Sequence, residues 1–71
     1  MSSQKIDVKG DVIRLGQFLK LANIVSSGGE AKLRVQTGEV KVNGQTELRR
    51  GLQLKDGDKI EADDKVFIVS Y

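Results

Sequence analysis

The chain has 71 residues, 38% apolar and 31% charged, which leaves room for one small domain with one modest core and argues against a disordered chain. It contains neither Cys nor His, so disulfides, thiolate metal sites and the usual neutral-pH base are excluded. The net charge of +2 is unevenly spread: residues 32–50 carry five Lys/Arg against two Glu, whereas residues 51–71 carry three Lys against five Asp/Glu, giving a basic middle and an acidic end.

Met1–Gln4 reads as a flexible tail and residues 5–71 as a single domain. The start of the chain is polar and lacks the apolar stretch of a signal peptide. The longest apolar run, Val66–Val69, is too short to span a bilayer. A reducing, cytoplasmic setting with no membrane partner is the expectation.

Lys5–Val8 alternates polar and apolar residues and reads as a short strand, followed by turn chemistry at Lys9-Gly10-Asp11. A helix is expected from about Arg14 to Ala22, because Leu15, Phe18, Leu19 and Ala22 fall on one stripe. Ser26-Ser27-Gly28-Gly29 breaks that pattern. Ser27 then caps a second helix running to about Thr37, with Glu30 in the capping-box position and Gly38 as the left-handed terminator. Ala31 and Val35 share its buried face, and Leu33, on another face, calls for a second apolar neighbour from the first helix or an N-terminal strand.

Glu39–Val42 alternates as a strand into Asn43-Gly44, the strongest two-residue hairpin signal. Leu52 and Leu54 alternate with Gln53 and Lys55 ahead of a turn at Asp56-Gly57. Lys59–Ala62 pairs through Asp63-Asp64 with Lys65–Tyr71, whose apolar residues on both faces mark a central strand. The fold class is α+β, with Leu15, Phe18, Leu19, Ala22, Ala31, Val35, Val40, Val42, Ile60, Val66 and Ile68 as the expected core.

The run SGGEAKLRVQTGEVKVNG, then RRG, then LKDGDKIE, resembles the S-four RNA-binding domain, named after a ribosomal small-subunit protein. More narrowly it is similar to the stand-alone bacterial YaaA/YbcJ-like subfamily. The resemblance spans about Ile13 to Val69. It implies a two-helix alpha-L motif packed on a small twisted, mainly antiparallel sheet. It also implies a non-catalytic domain that grips structured RNA, ribosomal or transfer, with a place in ribosome assembly and ribosomal particles as further partners. Ser27, Glu30, Ala31, Lys32, Gly38, Val40, Val42, Asn43, Gly44, Gly57 and Asp58 match the family's pattern. Two departures stand out. Gly28 occupies the position after the capping Ser where many members carry a basic residue, and Leu33-Arg34 reverses a common basic–apolar order.

The expected RNA-binding residues are Lys32, Arg34, Lys41, Arg49, Arg50 and Lys20. Clustered Lys and Arg attract phosphates and release counterions, and Arg adds a planar fork. Each has a plainer alternative: Lys32 as a solvated helix residue, Arg34 as a partner of Glu39, Lys41 as an edge guard. Gly28-Gly29 is either a flexible start to the second helix or a cradle for phosphate. The only aromatic residues are Phe18, Phe67 and Tyr71, which favours shape and phosphate recognition over single-strand stacking. No nucleophile–base pair, cofactor motif or full cation ligand set stands out, so no enzyme activity, cofactor or metal is expected. Two rival functions remain open. A β-grasp carrier is disfavoured because the sequence ends Ile68–Tyr71 without Gly-Gly, and a protein–protein adapter would use the acidic stretch Asp56–Asp64.

Overall fold

The computed structural model describes residues 3–10 and 12–71. Met1 and Ser2 of the expected tail, and Asp11 of the first turn, lie outside the described residues. Seven elements follow in chain order: β1 (Ser3–Asp7), α1 (Leu15–Leu21), α2 (Gly28–Gln36), β2 (Lys41–Val42), β3 (Gln45–Thr46), β4 (Lys59–Ala62) and β5 (Lys65–Ser70). The strands form one sheet in the order β1-β5-β4-β2-β3. Among the described residues, only β1 on β5 is parallel; the other pairs are antiparallel. The fold is therefore α+β with a mainly antiparallel sheet.

Local chemistry sets the element ends. Arg14 precedes α1 in an extended conformation, and its N–H donates to Gln17 Oε1 at 3.0 Å. Ser27 Oγ accepts from the Glu30 N–H at 3.2 Å, so the expected cap on α2 forms. The other half of the capping box differs. The Glu30 carboxylate accepts from the N–H and hydroxyl of Ser26, at 2.8 and 3.0 Å, one residue earlier than the box requires. These bonds hold the Glu30 carboxyl below its usual pKa, the Ser26 N–H contributing most. At the far end of α2, Gly38 sits at φ +78 while its N–H reaches Val35 O and the Glu39 N–H reaches Arg34 O. Both bonds belong to the Schellman terminator, which needs a left-handed residue there. Asn43 and Gly44 are left-handed, as a two-residue hairpin requires, and so are Asp63 and Asp64.

Leu15, Phe18 and Leu19 of α1, with Ala31 and Val35 of α2, cover one face of the sheet. Val40, Ile60, Ala62, Phe67 and Val69 meet them from below. Burying each of the larger side chains stabilises the fold by about 1.5–3 kcal/mol before the entropy of ordering is counted.

The structure corrects the expected core at three places. In β5 the inward residues are Phe67 and Val69, whereas Val66 and Ile68 face the open side of the sheet and are half-buried. Register decides this: Phe67 pairs with the buried Ile60 and Val69 with Ile6, so the intervening residues must point outward. Leu33 is 62% exposed, so the expected apolar neighbour does not cover it. Ala22 and Val42 pack against the core only in part, while Val8, Val25, Leu54 and Ala62 join it. β1 also begins at Ser3, so Ser3 and Gln4 belong to the strand. Among the described residues, no helix is long and apolar enough to cross a membrane.

Candidate nucleic-acid interface

The segment following β3 folds back against the start of α1. Gly16 N–H donates to Arg50 O at 3.0 Å and Leu15 N–H to Leu52 O at 2.8 Å. The Arg14 guanidinium crosses to donate to Gly51 O at 2.8 Å. The close approach depends on Gly16: a Cβ there would stand 2.6 Å from Arg50 Cγ. The aliphatic stem of Arg50 therefore lies across the first turn of α1.

These contacts shape a depression of about 430 Å³ between α1, the start of α2 and the Arg50 segment. Arg14, Lys20 and Arg50 supply its charges, Gln17 a polar edge and Gly28 the first backbone of α2. No carboxylate lines it among the described residues. The first amides of a helix have no intrahelical partner and carry the positive end of its dipole. Gly28 has open space where a side chain would stand. Lys32 is exposed one turn further along α2, at the i+4 spacing that puts it on the Gly28 side. The arrangement can hold an anion with guanidinium, ammonium and amide donors together.

Of the six expected residues, the fold brings Lys20, Arg50 and Lys32 to this place. Arg49 points the other way. It pairs with Glu47, at 3.0 Å from Nε, and lines a neighbouring groove. This pairing draws the Glu47 carboxyl below its usual pKa. Arg34 lies on the opposite side of α2, its side chain only 17% exposed, facing Asp63 and with Nε 3.4 Å from Glu39. Its enclosed nitrogens meet these carboxylates as ion pairs rather than as aligned hydrogen bonds. The contact with Arg34 holds the Asp63 carboxyl below its usual range. Lys41 projects from the open face of the sheet beside Glu61 and Thr46, its cross-strand neighbours.

Residues 6–70 match the S4 domain. The chain belongs to the S4 domain family. It is also similar to the probable ribosome maturation protein RlbA of Bacillus subtilis (strain 168), with 46% identity over 56 residues that cover 79% of each chain. The resemblance carried by the Ser27–Gly44 run and the late Gly57-Asp58 is confirmed. In this S4 domain two of the matched residues tie separate segments of the chain together. The Asn43 amide donates to Asp58 Oδ1 at 3.1 Å, while Asn43 Oδ1 accepts from Lys59 N–H at 2.9 Å. Asp58 also accepts from the Lys55 N–H at 2.7 Å.

Arg14 was not among the expected residues, yet it is central to the depression of this S4 domain. One signal for it exists in the sequence. A basic side chain just ahead of a helix opposes the dipole there, so its placement costs stability unless an anion or a carbonyl compensates.

Proposed function

We propose that this protein is a non-catalytic RNA-binding protein of the cytoplasm. Residues 5–71 act as one binding domain that grips structured ribosomal or transfer RNA, in ribosome assembly and on ribosomal particles. The observation that carries this reading is the convergence of Arg14, Lys20 and Arg50 on the start of α2 with no carboxylate lining the depression among the described residues. Lys32 extends the same side by a helical turn, while Arg49, paired with Glu47, and Lys41, on the open face of the sheet, stand apart from it. Arg34 serves the fold through Asp63 and Glu39 rather than RNA. Membership of the S4 domain family supports the RNA reading, and the name of the Bacillus relative supports the ribosomal one.

Binding to a folded ribosomal RNA fragment should weaken with salt. With three to five phosphates engaged, the slope of log affinity against log salt is expected at about −2 to −4. Reversing Lys20 and Arg50 to Glu should abolish most of that affinity with the melting temperature nearly unchanged, since exposed charges contribute little to folding. Reversing Lys59 and Lys65 should matter far less. Equal losses in the two double variants, or affinity indifferent to salt, would refute the localised site.

A further inference from the structure

A second hollow, of about 580 Å³, adjoins the basic depression. Its walls are the segment around Val12 and the stretch from Leu52 to Lys55. They are tied together by backbone bonds, with Leu54 N–H donating to Ile13 O at 2.9 Å and Leu15 N–H to Leu52 O at 2.8 Å. The Tyr71 hydroxyl closes the same seam, donating to Leu54 O at 2.7 Å and accepting from Ile13 N–H at 3.0 Å. The groove is therefore held open by fixed backbone rather than by mobile side chains.

Its chemistry is apolar below and cationic at the rims. Val12, 55% exposed, forms one wall with Leu52 and Leu54 beneath. Arg49 and Lys55 supply the only charges among the described lining residues. Arg49 and Arg50 are adjacent in sequence, yet they serve different hollows. Gly51 lines both and forms a saddle between them, with the Arg14 guanidinium beside it as a further cation.

We infer that this groove takes an unpaired nucleotide, its base or ribose against Val12 and Leu52, from the RNA strand whose phosphate lies at Arg50. The inference rests on the RNA reading above and sharpens it. The preferred ligand is a folded RNA with an extruded nucleotide rather than a uniform duplex. A uniform A-form stem presents phosphates and ribose hydroxyls but no free base, so it fills only the basic depression. A bulged nucleotide adjoining that stem reaches past Gly51, where Lys55 meets its flanking phosphate and Arg49, held by Glu47, forms the opposite rim. Gln53, on the same lining, offers both a donor and an acceptor to the base edge. A nucleotide is favoured over a peptide because the hollow is continuous, through Gly51, with the depression in which the RNA phosphate is placed.

The test uses the full chain and two RNA hairpins with the same stem, one carrying a single-nucleotide bulge. Wild-type protein should bind the bulged hairpin about tenfold more tightly, the gain expected from taking one base or ribose face out of water against the apolar wall. Val12→Ser should remove most of that preference while leaving affinity for the plain stem unchanged. Leu48→Ser, at another exposed leucine that lies outside the groove, should leave the preference intact. Arg50→Glu should weaken both RNAs alike. A photoreactive base in the bulge should crosslink to residues 49–55 or to Val12. Equal wild-type binding of the two hairpins, with Arg50→Glu still weakening both, would overturn the nucleotide groove and leave the RNA reading standing. A preference that survives Val12→Ser, or crosslinks placed elsewhere, would overturn it as well. Failure of both hairpins to bind in a salt-sensitive way would overturn both readings.

Discussion

Replacing Gly16 with Ala should separate RNA binding from folding. The added Cβ would stand 2.6 Å from Arg50 Cγ and 3.2 Å from Cδ, where carbon contacts normally begin near ~3.5 Å. The Arg50 stem must retreat by about 1 Å or swing off the helix. Arg50 is exposed, so its displacement costs the fold little. Ala in place of Gly favours a helix by up to about 1 kcal/mol, less in the first turn. The melting temperature should therefore stay level or rise by a few degrees. Binding should respond in the opposite sense. A hydrogen bond to a charged group is worth about 1.5–3 kcal/mol, so a misplaced fork that forfeits ~1 kcal/mol weakens RNA about fivefold. Fluorescence anisotropy at fixed salt, beside a thermal melt, reads both quantities. Wild-type affinity in Gly16→Ala would refute the argument that Arg50 must lie across α1. A fall of more than ~10 °C in the melting temperature would show instead that the backbone absorbs the clash.

Phe18 of α1 is fully buried, so Phe18→Ala should cost about 3–5 kcal/mol in urea unfolding, and a loss under ~1 kcal/mol would contradict the packing described. Tyr71→Phe removes the hydroxyl that bridges Ile13 and Leu54 and should cost about 1–2 kcal/mol, a drop of several degrees in the thermal midpoint. Glu30, Glu47 and Asp63 have depressed pKa values in the folded state. Each therefore contributes stability that is present above its ordinary pKa and is lost as pH falls through the depressed value. Thermal midpoints should be level near neutrality and fall progressively below about pH 4.5, most visibly when salt screening is low; a level profile down to about pH 2.5 would refute these contacts.

Much of the fold is legible in the sequence because its signals are local. The Leu15–Ala22 stripe, the Ser27 cap, the Gly38 terminator and the Asn43-Gly44 turn each need only their own neighbours to act. The parity of β5 is not legible, since four consecutive apolar residues give alternation nothing to select; pairing of Phe67 with Ile60 settles it. Leu33 misleads for a related reason: a single apolar residue on a helix does not say whether a second surface exists to receive it. Of the site, Lys20, Lys32 and Arg50 are legible as basic residues near the second helix. That Arg49 and Arg50 part company goes with the turn that Leu52 N–H closes onto Arg49 O at 3.2 Å, a turn with no clear signal in the sequence. Arg34 could be paired with Glu39 from sequence, because they are close in the chain, but Asp63 reaches it only through the β4–β5 hairpin.

The acidic end and the basic depression are two parts of one electrostatic arrangement. Asp56 accepts from the Tyr71 N–H, Asp58 holds Lys55 and Asn43, and Asp63 faces Arg34. Glu30 is turned to Ser26 and Glu47 to Arg49. Glu30 lies in the first turn of α2 with its carboxylate turned to Ser26, and these other carboxylates are engaged in closing turns and ion pairs away from the start of α2. Arg14, Lys20, Lys32 and Arg50 have no carboxylate partner among the described residues. A net charge of +2 therefore understates the local field at the depression, because the compensating charge is fixed elsewhere and screened from it within about 10 Å of salt solution. A polyanion approaching α2 meets four cations and a helix dipole rather than the average of the whole surface.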